Sequence, residues 1–232
     1  SGPEVAVAST KAVIAQLAAM YVVGLYLAQV RGTRDADEVR AHLQDLQEIP
    51  DLVQTVLDRM GSVRELARDL VNEERVLFLG RHVGYPMALE GALKLKELAY
   101  ISAEGFPAGE IKHGPIALIE QGTPVVILAP RHALQAKLIN NIQEVRARGA
   151  RTIVIATDGD ERVAPYADTV IRIPHTNPLL PPLPTLVHMH VLSAALAPPP
   201  ALAVAPPRPI ATATPCQLPP HVSSSSPVVL VR

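Results

Sequence analysis

The sequence predicts an α/β protein: a parallel sheet sandwiched between helices in three layers, preceded by a helical segment. Three observations predict it. Short unbroken apolar runs ("RVLFLG", "TPVVILAP", "RTIVIAT" and "DTVIRIP") alternate with amphipathic stretches such as "HALQAKLINNIQEVRARG", as parallel strands buried on both faces by crossover helices do. The first third of the chain has helical periodicity and almost no strand signal. At 232 residues the chain is long enough for one complete α/β domain with part of another.

In order along the chain, Ser9 or Thr10 is placed to cap a helix from about 10 to 31, with Val13, Leu17, Tyr21, Leu25 and Ala28 at helical spacing. The apolar stretch "AVIAQLAAMYVVGLYLAQV" approaches membrane-spanning length, but its alanine-rich first half and the lack of a second such segment favour a buried helix. "RGT" closes it. The stretch "DADEVRAHLQDLQEIPDLVQTVLDRMGSVRELARDLVNEE" reads as two more helices divided at Pro50. "RVLFLGRHVGYP" then reads as strand, loop and helix, with Pro86 in the helix's first turn. Sites in such sheets collect at the carboxyl ends of strands, which points to the loops after Leu79, Leu128 and Ala156. From about Pro178 the texture changes: 14 of the 23 prolines fall in the last 55 residues, so this region is expected to be poorly packed or extended coil, with "LVHMHVLSAALA" able to form one helix. The expected division is 1–74, helical; 75–180, the sheet unit; and 181–232, a proline-rich tail.

A formal net charge of −1 with 48% hydrophobic and 19% charged residues describes a globular chain with no bias toward nucleic acid or membrane, so an anionic ligand has to be held locally. The one cysteine, Cys216, cannot form an internal disulfide, and no signal-peptide pattern is visible, which makes the cytoplasm the expected location.

On a helix starting near Pro86, Glu90, Lys94 and Glu97 stand at i, i+4 and i+7 and share one face. Spacing alone leaves two readings open. One is a surface salt-bridge stripe worth a few tenths of a kcal/mol. The other is a cleft in which Glu97 acts as a base and Lys94 as its electrostatic partner. His113, in "KHGP", falls in a turn, where Lys112 beside it would favour a neutral imidazole. No Cys, His or Asp has metal-ligand spacing around it, and the loop "GRHVGYP" lacks a nucleotide fingerprint, so neither metal nor cofactor is expected.

"GPEVAVASTKA", "LFLGRHVGYPMALEGALKLKELAYISAEGFPAGEIKHGPIALIE" and "NNIQEVRARGA" together resemble the isomerase part of the glucosamine-6-phosphate synthase (glutamine:fructose-6-phosphate amidotransferase) family over about residues 1–177. That part consists of two sugar isomerase (SIS) subdomains, and the resemblance implies that this chain holds the tail of the first and most of the second, SIS-like and three-layered. It implies that Glu97 shuttles a proton between C1 and C2 of the sugar, that Lys94 assists, and that His113 is the ring-opening acid/base contributed to a neighbouring subunit's site in a homodimer. Val7, Ala8 and Ser9 match a sugar-lining segment. The family's glutaminase half, its hydroxyl-rich phosphate loops and its imine-forming lysine have no counterpart here, and no lysine follows Lys137. The expectation is therefore little or no turnover by this chain alone, and a shifted reading frame or uncertain assignment beyond roughly Leu180. The alternative is a non-catalytic phosphosugar-binding SIS module.

Overall fold

The computed structural model describes residue 2 and residues 8–197. Val7, Cys216 and the tail from Pro198 onward lie outside the described residues. Among the described residues, five strands form one parallel sheet in the order β2-β1-β3-β4-β5: β1 is Arg75–Gly80, β2 Ser102–Pro107, β3 Pro124–Ala129, β4 Arg151–Thr157 and β5 Thr169–Ile173. Seven α-helices accompany it: α1 Lys11–Val30, α2 Ala36–Gln47, α3 Ile49–Asp58, α4 Gly61–Leu70, α5 Gly84–Lys94, α6 Gln135–Ala147 and α7 Pro182–Leu196.

Successive side chains of a strand point to opposite faces, so each strand feeds two cores. Val76, Phe78, Val126, Leu128, Ile153 and Ile155 meet the apolar faces of α4, α5 and α7, while Leu77, Leu79, Val125, Ile127 and Val154 meet Leu138, Ile142 and Val145 of α6. This is the three-layer arrangement expected from the apolar runs. Edge strand β2 was not legible in those runs, because "SAEGFP" is short, half-exposed and interrupted by glycine. Its glycine has a packing reason. A Cβ on Gly105 would stand 2.9 Å from the Ala88 carbonyl and the Leu89 nitrogen, so only glycine lets α5 lie this close to the strand.

Four expectations need correction. The stretch after Asp35 forms three helices, because the chain breaks at Arg59–Met60 as well as at the junction before Pro50. Neither Ser9 nor Thr10 caps α1, for the N-cap Thr10 makes no side-chain bond. α1 is not a buried helix: Leu25 is buried, but Met20, Val23, Tyr26, Leu27 and Val30 are exposed, since the helix leans chiefly on α2 and α7 along one side. By length and composition alone α1 could also cross a membrane. Finally, the helix allowed for "LVHMHVLSAALA" does form, as α7, but it starts at Pro182, within the stretch expected to be coil. Pro181, Pro182 and Pro184 occupy its cap and first turn, where backbone N–H groups have no intrahelical partner to lose. Leu183, Leu186, Met189, Leu192 and Leu196 are buried on α3, α4 and α5, so the packed body continues through Leu196 instead of ending near 180.

Candidate functional site

β1 runs toward one rim of the sheet and α5 returns toward the other, so Lys94 arrives at the amino ends of the strands. There the helix widens into a π turn, Leu95–Ala99, and Tyr100 leaves it in the left-handed region at φ 58°. Single π turns of this kind mark functional positions in many helices. Here the turn decides where Glu97 stands relative to Lys94.

Lys94 Nζ lies 2.5 Å from Glu97 Oε2 and 3.5 Å from Glu90 Oε1. The lysine side chain is 2% exposed, whereas that of Glu97 is 32% exposed. A surface stripe would expose its lysine, so the salt-bridge reading does not describe this face. A buried ammonium has to be matched by charge or pushed to neutrality, and two carboxylates on one helix face provide that match. The result is an ion pair with a sealed lysine and an open carboxylate, an arrangement in which Glu97 can reach a substrate while Lys94 stays fixed behind it.

The structure adds a residue that the sequence reading missed. His190, on α7, places Nε2 3.9 Å from Glu90 Oε1, and its side chain is 11% exposed. Neither of these two buried atoms has a hydrogen-bond partner. Burial, and then the Lys94 ammonium, push the His190 imidazole down to about 4, so the ring is neutral at pH 7. The one available signal was the position of His190 within "LVHMHVLSAALA", and it becomes informative only once α7 is known to pack on α5.

His113 does not join this group within the chain. Glu97 precedes β2 and His113 ends a 3-10 turn, Ala108–His113, that follows it. The six residues of β2 place them at opposite rims, roughly 17 Å of strand apart. His113 is exposed, and Lys112 reaches away to Glu144 on α6 at 3.2 Å. Ala8 is buried and Ser9 half-buried at the entry to α1. Among the described residues no group of three or more His, Cys, Asp or Glu side chains is placed to hold a metal ion.

A family model described as the SIS domain matches residues 69–197. The chain is 60% identical over 201 residues to the glutamine–fructose-6-phosphate aminotransferase [isomerizing] of Streptomyces coelicolor and 54% identical to that of Corynebacterium glutamicum, covering 85% of this chain in each case. It covers 33% and 32% of those two proteins, about a third of the length of the curated relatives it matches. Among solved structures, the C-terminal domain of glucosamine-fructose-6-phosphate aminotransferase from Francisella tularensis superposes with a TM-score of 0.80 at 34% identity, over 84% of this chain and 55% of that one.

Proposed function

The chain belongs to the SIS domain family, and from that premise we propose that it carries the isomerase part of a glutamine–fructose-6-phosphate aminotransferase. The observation that carries this reading is the sealed Lys94 ammonium held 2.5 Å from the open Glu97 carboxylate.

The reaction assigns a task to each group. Fructose 6-phosphate opens, and its C2 carbonyl condenses with ammonia to an imine with loss of water. The Glu97 carboxylate takes a proton from C1 and returns one to C2, while the C1 hydroxyl loses its proton and the imine nitrogen gains one, so C2=N becomes the amine and C1 the aldehyde of glucosamine 6-phosphate. A positioned carboxylate base of this kind contributes about 10²–10⁴-fold. Lys94, 2.5 Å away, positions Glu97 and offsets negative charge as it develops, with no metal or redox step required.

Ring opening falls to His113. Its place at the far rim of its own sheet supports a role in the neighbouring subunit's site of a homodimer. Val7, Ala8 and Ser9 line the sugar. Residues 1–74 are the helical remainder of a first SIS subdomain and the sheet unit is the second. The same reading places the protein in the cytoplasm, in keeping with a lone cysteine that cannot form an internal disulfide.

The test is a chimaera in which residues 8–197 replace the matching segment of the Streptomyces coelicolor relative. It is expected to form glucosamine 6-phosphate from fructose 6-phosphate and ammonium, and Glu97→Gln is expected to lower that rate by about 100-fold or more. The chain assayed by itself is expected to give little or no turnover. A Glu97→Gln chimaera as fast as its parent would overturn the assignment.

A further inference from the structure

The carboxyl ends of β3 and β4 hold polar groups that the proton-transfer face, on the opposite rim, does not use. A cavity of about 240 Å³ opens there, lined by Arg131, His132, Thr157, His175 and Thr176 and walled by two prolines.

The groups around it are donors or are already engaged. Thr157 Oγ1 accepts the backbone N–H of Arg131 at 2.9 Å. His132 Nδ1 accepts the backbone N–H of Leu134 at 3.0 Å, so the neutral ring carries its proton on Nε2. Nε2 is shut away from solvent without a partner, and so is the hydroxyl of Thr176. Buried polar groups are nearly always paired, so two unpaired ones on residues that line one cavity are donors left for a ligand once their side chains turn toward it.

The local charge has the matching sign. His82 stacks on His132 with ring centroids 5.8 Å apart. Burial first, then His82 and Arg81, lower the His132 pKa, which keeps it a neutral donor in positive surroundings. The nearest carboxylate, Asp160, is 3.9 Å from Arg131 Nε but is committed elsewhere. Arg162 grips it through two bonds of 2.9 Å, and Gln135 donates to it as well. Its backbone carbonyl accepts from Arg172 at 2.8 Å. Arg131 thus keeps a half-exposed guanidinium, and its ion pair to Asp160 is long, at 3.9 Å, and shared with the closer Arg162.

We propose that this cavity binds a small oxyanion, inorganic phosphate or the phosphate group of a small ester, held by Arg131 and by His132 and Thr176 once their side chains turn into it. Acceptor-only oxygens suit this set of donors, and the fork of an arginine matches them. The volume is below that of an ordinary drug-sized site, which limits the ligand to a small one.

The experiment titrates the 232-residue chain with inorganic phosphate and follows the histidine ring signals by ¹H–¹⁵N NMR, with sodium chloride at matched ionic strength as the control. The expected result is a saturable shift of His132 and His175 with a dissociation constant in the millimolar range or tighter. Arg131→Gln and Thr176→Val should each weaken binding severalfold, while Arg148→Gln, at an exposed arginine away from the cavity, should leave it unchanged. Shifts that do not saturate, that chloride reproduces, or that Arg131→Gln and Arg148→Gln reduce equally would show an adventitious ion only and overturn the proposal.

Discussion

Replacing His190 by glutamine tests the electrostatics of the Lys94 group through stability alone. The imidazole is held at about 4 in the folded chain against an ordinary value of 6.5. Above pH 6.5 neither state binds the proton, and the folded chain keeps its full stability. As the pH falls, the unfolded chain is protonated first, so stability is lost between 6.5 and 4 and no further loss arises below 4. With these two values the loss between pH 7 and pH 5 is about 2 kcal/mol. Urea unfolding at the two pH values measures it, since the midpoint tracks stability when the slope is unchanged. His188 and His132 are also lowered by burial and lose stability in the same direction, but both remain in the variant. Asp160, held at about 2 by Arg162, acts below this window. His190→Gln is therefore expected to remove about 2 kcal/mol of the pH dependence. An unchanged pH dependence would refute the placement of a neutral imidazole beside Lys94.

Two further outcomes follow from the same geometry. Gly105→Ala puts a methyl group 2.9 Å from the backbone of α5 at Ala88 and Leu89. It is expected to destabilise the fold by about 1–3 kcal/mol, visible as a lowered Tm, and a neutral effect would contradict the close packing of α5 on β2. In the chimaera, mixing Glu97→Gln subunits with His113→Asn subunits should restore about a quarter of the activity, because random pairing makes half the dimers mixed and each mixed dimer has one intact site. No recovery on mixing would show that His113 does not act across an interface.

The central strands were legible because β1, β3 and β4 are buried on both faces and so read as unbroken apolar runs. Edge strand β2 carries little of that signal, and its short half-exposed run is punctuated by glycine and proline. The helix read at "LVHMHVLSAALA" formed as α7, but its start was obscured by prolines that are harmless in a first turn yet look like coil when counted by composition. For α1, periodicity shows that a helix forms but not what covers it, and the burial expected of it is found mainly at Leu25. At the site, i, i+4 and i+7 spacing placed Glu90, Lys94 and Glu97 on one face, yet a surface stripe and a cleft share that spacing. What separates them is the depth of Lys94 and the π turn that brings Glu97 to it, and both depend on how α5 packs against α7 and the sheet. His190 lies beyond local pattern altogether, since it reaches Glu90 from a helix a hundred residues away in sequence.

In the proposed reaction Glu97 carries the proton from C1 to C2. The most direct measurement supplies the chimaera with fructose 6-phosphate deuterated at C1, together with ammonium, and follows deuterium in glucosamine 6-phosphate by NMR. Label is expected at C2 with the parent chain, and its transfer is expected to fall by about 100-fold or more with Glu97→Gln. Transfer to C2 at an undiminished rate in the Glu97→Gln chimaera would contradict it.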